Sequence, residues 1–233
     1  YSLRFPFYAQ SGIAFIGIPA AMALTEHAAK TRIKNSFANI VKIIQYSLFT
    51  NKELCYNIMF SGVIGAATLT MAWFVQPLLI ELDTPTSWFG IIWTILNLTV
   101  GISALYSDKL DQRLGSLRMY AFILFFIVSG YIAVAFNISY VGLICLFFFY
   151  IVRGFATPIL KGYINQITFS EMRATVLSIR NFVIRLMFAA MAPLVGWLHD
   201  LYSLSIALQA TAVIIFVPGL LFLILQWRYS KKV

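Results

Sequence analysis

The chain has little of what a soluble enzyme or a metalloprotein needs. Charged residues make up 11% of its 233 positions, and histidine and cysteine occur only twice each. Cys55 and Cys145 have no spacing that predicts a disulfide or a metal site. No glycine-rich phosphate loop is present. The one catalytic candidate is His199 beside Asp200, and two neighbouring residues at a loop do not form a catalytic pocket. The sequence therefore predicts a protein that is not an enzyme, with no metal and no cofactor.

Apolar residues dominate the chain instead. Hydrophobic residues account for 61% of it and the mean hydropathy is +0.86, which excludes an ordinary soluble domain. A hydrocarbon core about 30 Å thick requires roughly 20 apolar residues of helix. Long apolar stretches occur at 5–24, 56–80, 88–106, 119–136, 140–163, 174–198 and 204–227. The predicted fold class is therefore all-α, a polytopic membrane helix bundle.

The positive charges distinguish the two sides of the membrane. The net charge is +9. Basic residues lie on alternate loops and in the tail: Lys30, Arg32, Lys34, Lys42, Lys52, Lys109, Arg113, Arg118, Lys161, Arg173, Arg228, Lys231 and Lys232. Only Arg4 lies on the opposite side, and basic loops resist translocation. We therefore predict a multi-pass protein of the plasma membrane with a cytoplasmic C-terminus, and the lipid bilayer rather than nucleic acid as its surroundings.

One connection, 25–53, is much longer than the others. Its apolar residues repeat at helical spacing: Phe37, Ile40, Val41, Ile44 and Leu48. This pattern predicts an amphipathic helix on the cytoplasmic interface. The chain then divides into a first span at 1–24, the connector at 25–53 and a six-helix bundle at 54–233. An outside N-terminus and an odd number of spans suggest that the first span ends an N-terminal bundle, a missing partner within a longer protein.

Arg153 is the most costly residue of the predicted spans. It lies near mid-membrane, where a charge costs roughly 2.5 to 3.5 kcal/mol on insertion scales. Polar neighbours share its helical face: Tyr150, Thr157 and Lys161. The next span carries a similar stripe: Thr175, Ser178, Asn181 and Arg185. Two polar stripes on successive helices predict a shared aqueous path for a solute.

Two alternatives stay open for these arginines. Arg153 and Arg185 line the path, or they bind backbone carbonyls or phosphates and only fix the packing of helices. Arg180 and Lys161 lie nearer the cytoplasmic ends, and we expect their side chains to reach the interface. Further co-facial candidates for the path are Trp73 with Gln76 and Thr94 with Asn97.

The spans lack acidic residues and histidine near their middles. If protons drive transport, the usual acidic relay group is therefore absent from this stretch. The central charges are positive, which favours an anionic or polar solute over a cationic one.

The segment 104–113, ALYSDKLDQR, resembles the loop signature of the major facilitator superfamily. Asp108 and Lys109 match it directly and Arg113 falls at its closing basic position, whereas Ala104 and Asp111 replace its two glycines. Other segments are similar to the sixth, tenth and eleventh helices of such proteins: LRFPFYAQS, RGFATPILKGYIN with SEMRATVLS, and APLVGWLHD. The chain as a whole resembles the sixth to twelfth helices of a twelve-helix transporter.

The resemblance implies secondary active transport of a small solute by alternating access, coupled to protons or another ion, in a bacterial inner membrane. It implies a cytoplasmic gate formed by charged residues: Asp108, Lys109, Arg113, Glu171 and Arg173. Multidrug efflux is an alternative, because the aromatic content of 16% suits an apolar cavity. A membrane scaffold or sensor subunit that transports nothing is the alternative from another class.

Overall fold

The fold is helical throughout the part of the chain that the structure describes. The computed structural model describes residues 5–23 and 37–230. These residues form nine α-helices, one π-helical turn and no strand: α1 Phe5–Met22, α2 Phe37–Gln45, the π-helical turn Tyr46–Thr50, α3 Lys52–Glu81, α4 Thr86–Leu105, α5 Ser107–Leu114, α6 Ser116–Phe136, α7 Tyr140–Gln166, α8 Arg173–Leu201 and α9 Leu204–Ser230.

Six of the described helices are long and apolar enough to cross a membrane: α3, α4, α6, α7, α8 and α9. They coincide with the last six predicted spans, so the prediction of an all-α, multi-pass membrane protein is confirmed. The first predicted span also forms a helix, α1, of 18 residues, but it is not among the six. The predicted charges Arg4, Lys30, Arg32 and Lys34, and the tail at 231–233, lie outside the described residues.

The chain divides into two units, Tyr1–Lys34 and Asn35–Val233. The first unit contains α1, an apolar helix with Pro19 inside it. The second contains the six long helices together with α2, the π-helical turn and α5. The connector helix α2 therefore belongs to the same unit as the bundle.

The six long helices form two sets of three, with α3, α4 and α6 in the first and α7, α8 and α9 in the second. Helix α3 packs on α8 and α9, and α7 packs on α4 and α6. The remaining pair, α6 and α9, also pack on each other. In addition α8 packs on α9, whereas α4 and α6 have no comparable contact and are joined through α5.

Small residues allow the equivalent contacts of the two sets. A Cβ atom at Gly65 of α3 would lie 2.6 Å from Ile184 Cδ1 of α8. A Cβ atom at Gly154 of α7 would lie 2.6 Å from the carbonyl oxygen of Val100 in α4. Both distances are too short for a side chain, so these glycines are what lets the paired helices approach.

Buried aromatic residues join α6 to its neighbours in the centre of the bundle. Tyr131 is fully buried, and its hydroxyl donates a hydrogen bond of 2.6 Å to the carbonyl oxygen of Ala67 in α3. Its ring meets that of Phe149 in α7 edge to face, with 5.5 Å between centroids. The buried hydroxyl is thus satisfied by a carbonyl of a neighbouring span, as a polar group inside lipid requires.

The connector packs on protein through part of the predicted stripe, since Ile44 and Leu48 contact the buried cluster beside Ile43. The prediction of a helix is confirmed by α2, but Phe37 is 81% exposed and Ile40 is also exposed. Ile43, which the predicted stripe omits, is the buried residue and joins a cluster with Leu54 of α3 and Val176 of α8. The helix turns this face inward because the ends of α3 and α8 offer an apolar surface that solvent does not.

Candidate functional site

Arg153 lies in the middle of α7 with hydrogen-bonding capacity left unused. It is half-buried, and its guanidinium carbon lies 5.2 Å from the centroid of the Tyr150 ring. This stacking is a cation–π contact within one helix. Within the described residues, neither Arg153 Nη1 nor the buried Tyr150 hydroxyl has a hydrogen-bond partner. Buried polar groups are normally satisfied, so water or a further group is needed at this position.

The polar stripe of α8 is exposed on the surface of the bundle. Arg185 and Asn181 are both exposed, and Thr157 of α7 is exposed as well. The Thr157 hydroxyl donates to the carbonyl oxygen of Arg153 at 3.4 Å. Helices α7 and α8 meet at few points, so the two predicted stripes lie on separate helix surfaces rather than facing each other.

The candidates on α3 and α4 are exposed too. Trp73 is 71% exposed, Gln76 is exposed three residues later, and the Trp73 ring stacks on Phe188 of α8 with 6.5 Å between centroids. Asn97 lies in a groove along α4 and donates to the carbonyl oxygen of Trp93 at 2.8 Å. The predicted path residues of α3, α4 and α8 are therefore exposed, whereas on α7 Tyr150 is buried and Arg153 is half-buried.

Arg180 differs from its prediction. We expected its side chain to reach the interface, but it is 4% exposed and lies between α8 and α3. Its Nε donates to the Ser61 hydroxyl of α3 at 2.5 Å, and its Nη1 donates to Asn181 Oδ1 at 3.2 Å. Burial is possible because Gly62 and Gly65 bring the helices together and Ser61 supplies an acceptor. The small residues Ser61, Gly62 and Gly65 are the sequence signal for this site.

The predicted gate residues do not pair with one another. The charged residues of this group are all exposed: Asp108, Lys109, Arg113, Glu171 and Arg173. Lys109 Nζ lies 5.9 Å from the centroid of the Tyr106 ring, and Arg173 Nη2 donates to the carbonyl oxygen of Asn165 at 3.2 Å. Within the described ranges, the single ion pair is His199 with Asp200, 3.4 Å apart near the far end of α8.

The contact that ties the loop to the bundle comes from Asp111. Its Oδ1 accepts a hydrogen bond from the Tyr163 hydroxyl of α7. The Tyr163 ring lies 5.2 Å from that of Tyr120 in α6, and the Tyr120 hydroxyl donates to Asn57 Oδ1 in α3. At the level of sequence, Asp111 is notable only because it replaces a glycine of the loop signature. No local pattern indicates its partner, which lies 52 residues away.

Comparison with family models, with curated proteins and with solved structures finds no match to this chain. The resemblance to the major facilitator superfamily therefore rests on the sequence segments quoted above.

Proposed function

We propose that this chain forms part of a secondary active transporter of the major facilitator type, which moves a small solute by alternating access. The observation that carries the proposal is a set of exposed polar and charged side chains on apolar spans. Gln76 of α3, Asn97 of α4 and Arg185 of α8 are all exposed. Polar groups and charges facing hydrocarbon are costly, so we expect these side chains to meet water or another protein surface.

An apolar groove marks another surface of the bundle. It runs between α6 and α9 and its lining is almost wholly apolar, including Leu124, Phe125 and Phe216. This composition suits lipid chains. We therefore propose that α6 and α9 face the membrane, while a second bundle and a solute path lie beside α4 and α8.

The packing of α3 on α8 and α9, and of α7 on α4 and α6, is what an inverted repeat of three helices would produce. Transporters with such repeats bind solute near the midplane and rock one bundle against the other. Proline lies inside four spans: Pro77 in α3, Pro158 in α7, Pro193 in α8 and Pro218 in α9. Proline removes a backbone hydrogen bond and permits bending, which rocking of the helices would use.

The solute that suits the arginines is anionic or polar. Arg153 has an unpaired Nη1, and Arg185 is exposed near the centre of α8. We propose that one or both arginines bind a negative or strongly polar group of the solute. Transport of this solute would be coupled to protons or another ion.

Multidrug efflux is the second candidate, favoured by Trp73. This ring is 71% exposed and stacks on Phe188 beside the polar residues. An aromatic surface at this position would bind flat apolar compounds. Competition separates the two functions, since organic anions would block the first and apolar aromatic compounds the second.

Thiol labelling tests for the aqueous path without knowledge of the solute. Cys55 and Cys145 are changed to serine, and one cysteine is introduced at Asn97 or Arg185. Matched controls carry the cysteine at Val213 or Phe216, which line the apolar groove. We expect a membrane-impermeant thiol reagent to modify the first pair in intact membranes and not the second. Equal labelling of all four positions, or labelling of the controls alone, would contradict a path on this face.

A further inference from the structure

A polar cavity of about 290 Å³ lies between α3, α6, α7 and α9, at the end of the bundle where α3 begins. Six of its lining residues carry the argument: Glu53, Asn57, Tyr120, Tyr163, Gln226 and Tyr229. The cavity contains none of the proposed path residues and does not depend on the transport proposal. Its volume is near the lower end for small-molecule sites, so any ligand must be small.

Three hydrogen-bond donors of this lining are already used. The Tyr120 hydroxyl donates to Asn57 Oδ1, and the Tyr163 hydroxyl donates to Asp111 Oδ1. Asn57 Nδ2 donates to the backbone carbonyl oxygen of Glu53 at 2.9 Å. These three donors therefore remain bound within the protein and are not offered to a ligand.

Two acceptors of the lining have no such partner. Gln226 Oε1 is buried and has no hydrogen-bond partner in the described part of the chain. The Glu53 carboxylate forms no ion pair with any described residue, since the pair at His199 and Asp200 is the one such contact there. A ligand with donors of its own would satisfy these two acceptors, and unpaired buried acceptors are costly.

The charge of the lining points to a cation. Glu53 is the one charged residue among the lining residues that the structure describes. Two basic residues near this end, Arg118 and Arg228, are exposed and do not line the cavity, and Lys52 lines only the shallow cleft beside it. The tyrosine rings add aromatic surface, which attracts cations electrostatically.

We propose that this cavity binds a small organic ammonium ion, with the Glu53 carboxylate as counter-charge and Gln226 Oε1 as a hydrogen-bond acceptor. The ammonium group supplies N–H donors to both acceptors and lies against tyrosine rings. Such a group occurs on free amines in water and on the headgroups of aminophospholipids, and the experiment separates the two sources.

The test measures the melting temperature of the chain in nanodiscs of phosphatidylglycerol, which lacks an amine. Ethanolamine hydrochloride is titrated at constant ionic strength, and ethylene glycol serves as the uncharged analogue. We expect a saturable rise of about 2–4 °C with ethanolamine and none with ethylene glycol. No response to ethanolamine, or an equal response to ethylene glycol, would overturn the proposal.

Matched variants locate the binding. Glu53→Gln removes the counter-charge, whereas Glu81→Gln makes the same change at the other end of α3. We expect the ethanolamine response to vanish in the first and to persist in the second. Glu53 also lies in the first turn of α3, where it stabilises the helix, so the comparison uses the response and not the starting melting temperature. Gln226→Leu, which leaves the carboxylate intact, should weaken the response; a full response in both Glu53→Gln and Gln226→Leu contradicts the site.

A second set of nanodiscs containing phosphatidylethanolamine identifies the source. If the headgroup occupies the cavity, the protein melts higher in these discs and ethanolamine adds nothing, provided that both effects disappear in Glu53→Gln. If a dissolved amine is the ligand, ethanolamine acts equally in both lipids.

Discussion

Asp111 of α5 accepts a hydrogen bond from the Tyr163 hydroxyl of α7, and this contact holds the loop helix against the bundle. Asp108, three residues earlier on the same short helix, is exposed and forms no ion pair with a described residue. The two carboxylates therefore differ in what they do, although the resemblance to a transporter family assigned the gate to Asp108.

Tyr163→Phe should loosen α5 because it removes the donor to a carboxylate, an interaction of roughly 1.5–3 kcal/mol. A loss of that size corresponds to at least a tenfold change in the local opening equilibrium. We expect amide hydrogen exchange in Ser107–Leu114 to accelerate by about that factor, measured by mass spectrometry. Asp111→Asn should act in the same direction and less strongly.

Asp108→Asn is the matched control for the loop helix, since it changes an exposed carboxylate in the same helix. Exchange in α5 should stay within about twofold of the unmodified protein. If Asp108→Asn loosened α5 more than Tyr163→Phe did, the carboxylate implied by the resemblance would be the one that holds the loop.

Ser61→Ala should destabilise the bundle because it leaves the buried Arg180 guanidinium without the acceptor of its Nε. The expected cost is about 1–3 kcal/mol of unfolding free energy. Arg180→Met should cost less, since replacing a buried charge by an apolar side chain of similar shape is often nearly neutral. Thermal unfolding in nanodiscs measures both.

Arg185→Met provides the comparison on the same helix. Arg185 is exposed, so its loss should change stability by no more than about 0.5 kcal/mol. Equal destabilisation by Ser61→Ala and Arg185→Met would show that burial between α3 and α8 is not what distinguishes the two arginines.

These two arginines also show where prediction from sequence ends. The spans can be predicted from hydropathy, because a single segment inside lipid satisfies its backbone hydrogen bonds by forming a helix. Arg180 and Arg185, five residues apart, point about 140° from each other on a helix. Hydropathy of α8 alone does not tell which direction is buried; the small residues of α3 decide it.

The same holds for the contacts of the loop and the connector. The helix at α2 follows from apolar spacing, but its buried face depends on the surfaces of α3 and α8 beside Ile43. The partner of Asp111 depends on how α7 packs on α6, which places Tyr163 near the loop. Local patterns predict elements, whereas these pairings depend on the three-dimensional packing of distant segments.

Gly65→Ala tests the close approach of α3 and α8. The added Cβ would lie 2.6 Å from both Cδ1 and Cγ1 of Ile184, so the helices must separate or the isoleucine must move. Such overpacking typically costs 1–3 kcal/mol, and we expect a lower melting temperature. The pair Gly65→Ala with Ile184→Ala should recover part of that loss relative to the sum of the single changes, because the clash is gone.

Gly162→Ala is the control for helix propensity, because a Cβ there meets no atom within 4 Å. Alanine is better than glycine inside a helix by roughly 0.5–1 kcal/mol, so this variant should melt higher. A lower melting temperature for Gly162→Ala, or a higher one for Gly65→Ala, would mean that the space around these glycines differs from the packing described.

Arg153→Gln tests whether the arginine in the middle of α7 serves transport or packing. If it binds solute, uptake of organic anions into membrane vesicles should fall at least tenfold while the amount of protein in the membrane stays normal. Arg153→Lys, which keeps the charge but not the planar group, should retain part of the uptake. If Arg153 only fixes the packing of α7, Arg153→Gln should instead lower the amount of folded protein. Competition then decides the solute class. The guanidinium of Arg153 attracts organic anions and repels organic cations. Uptake that organic cations inhibit and organic anions do not would therefore contradict an anionic solute.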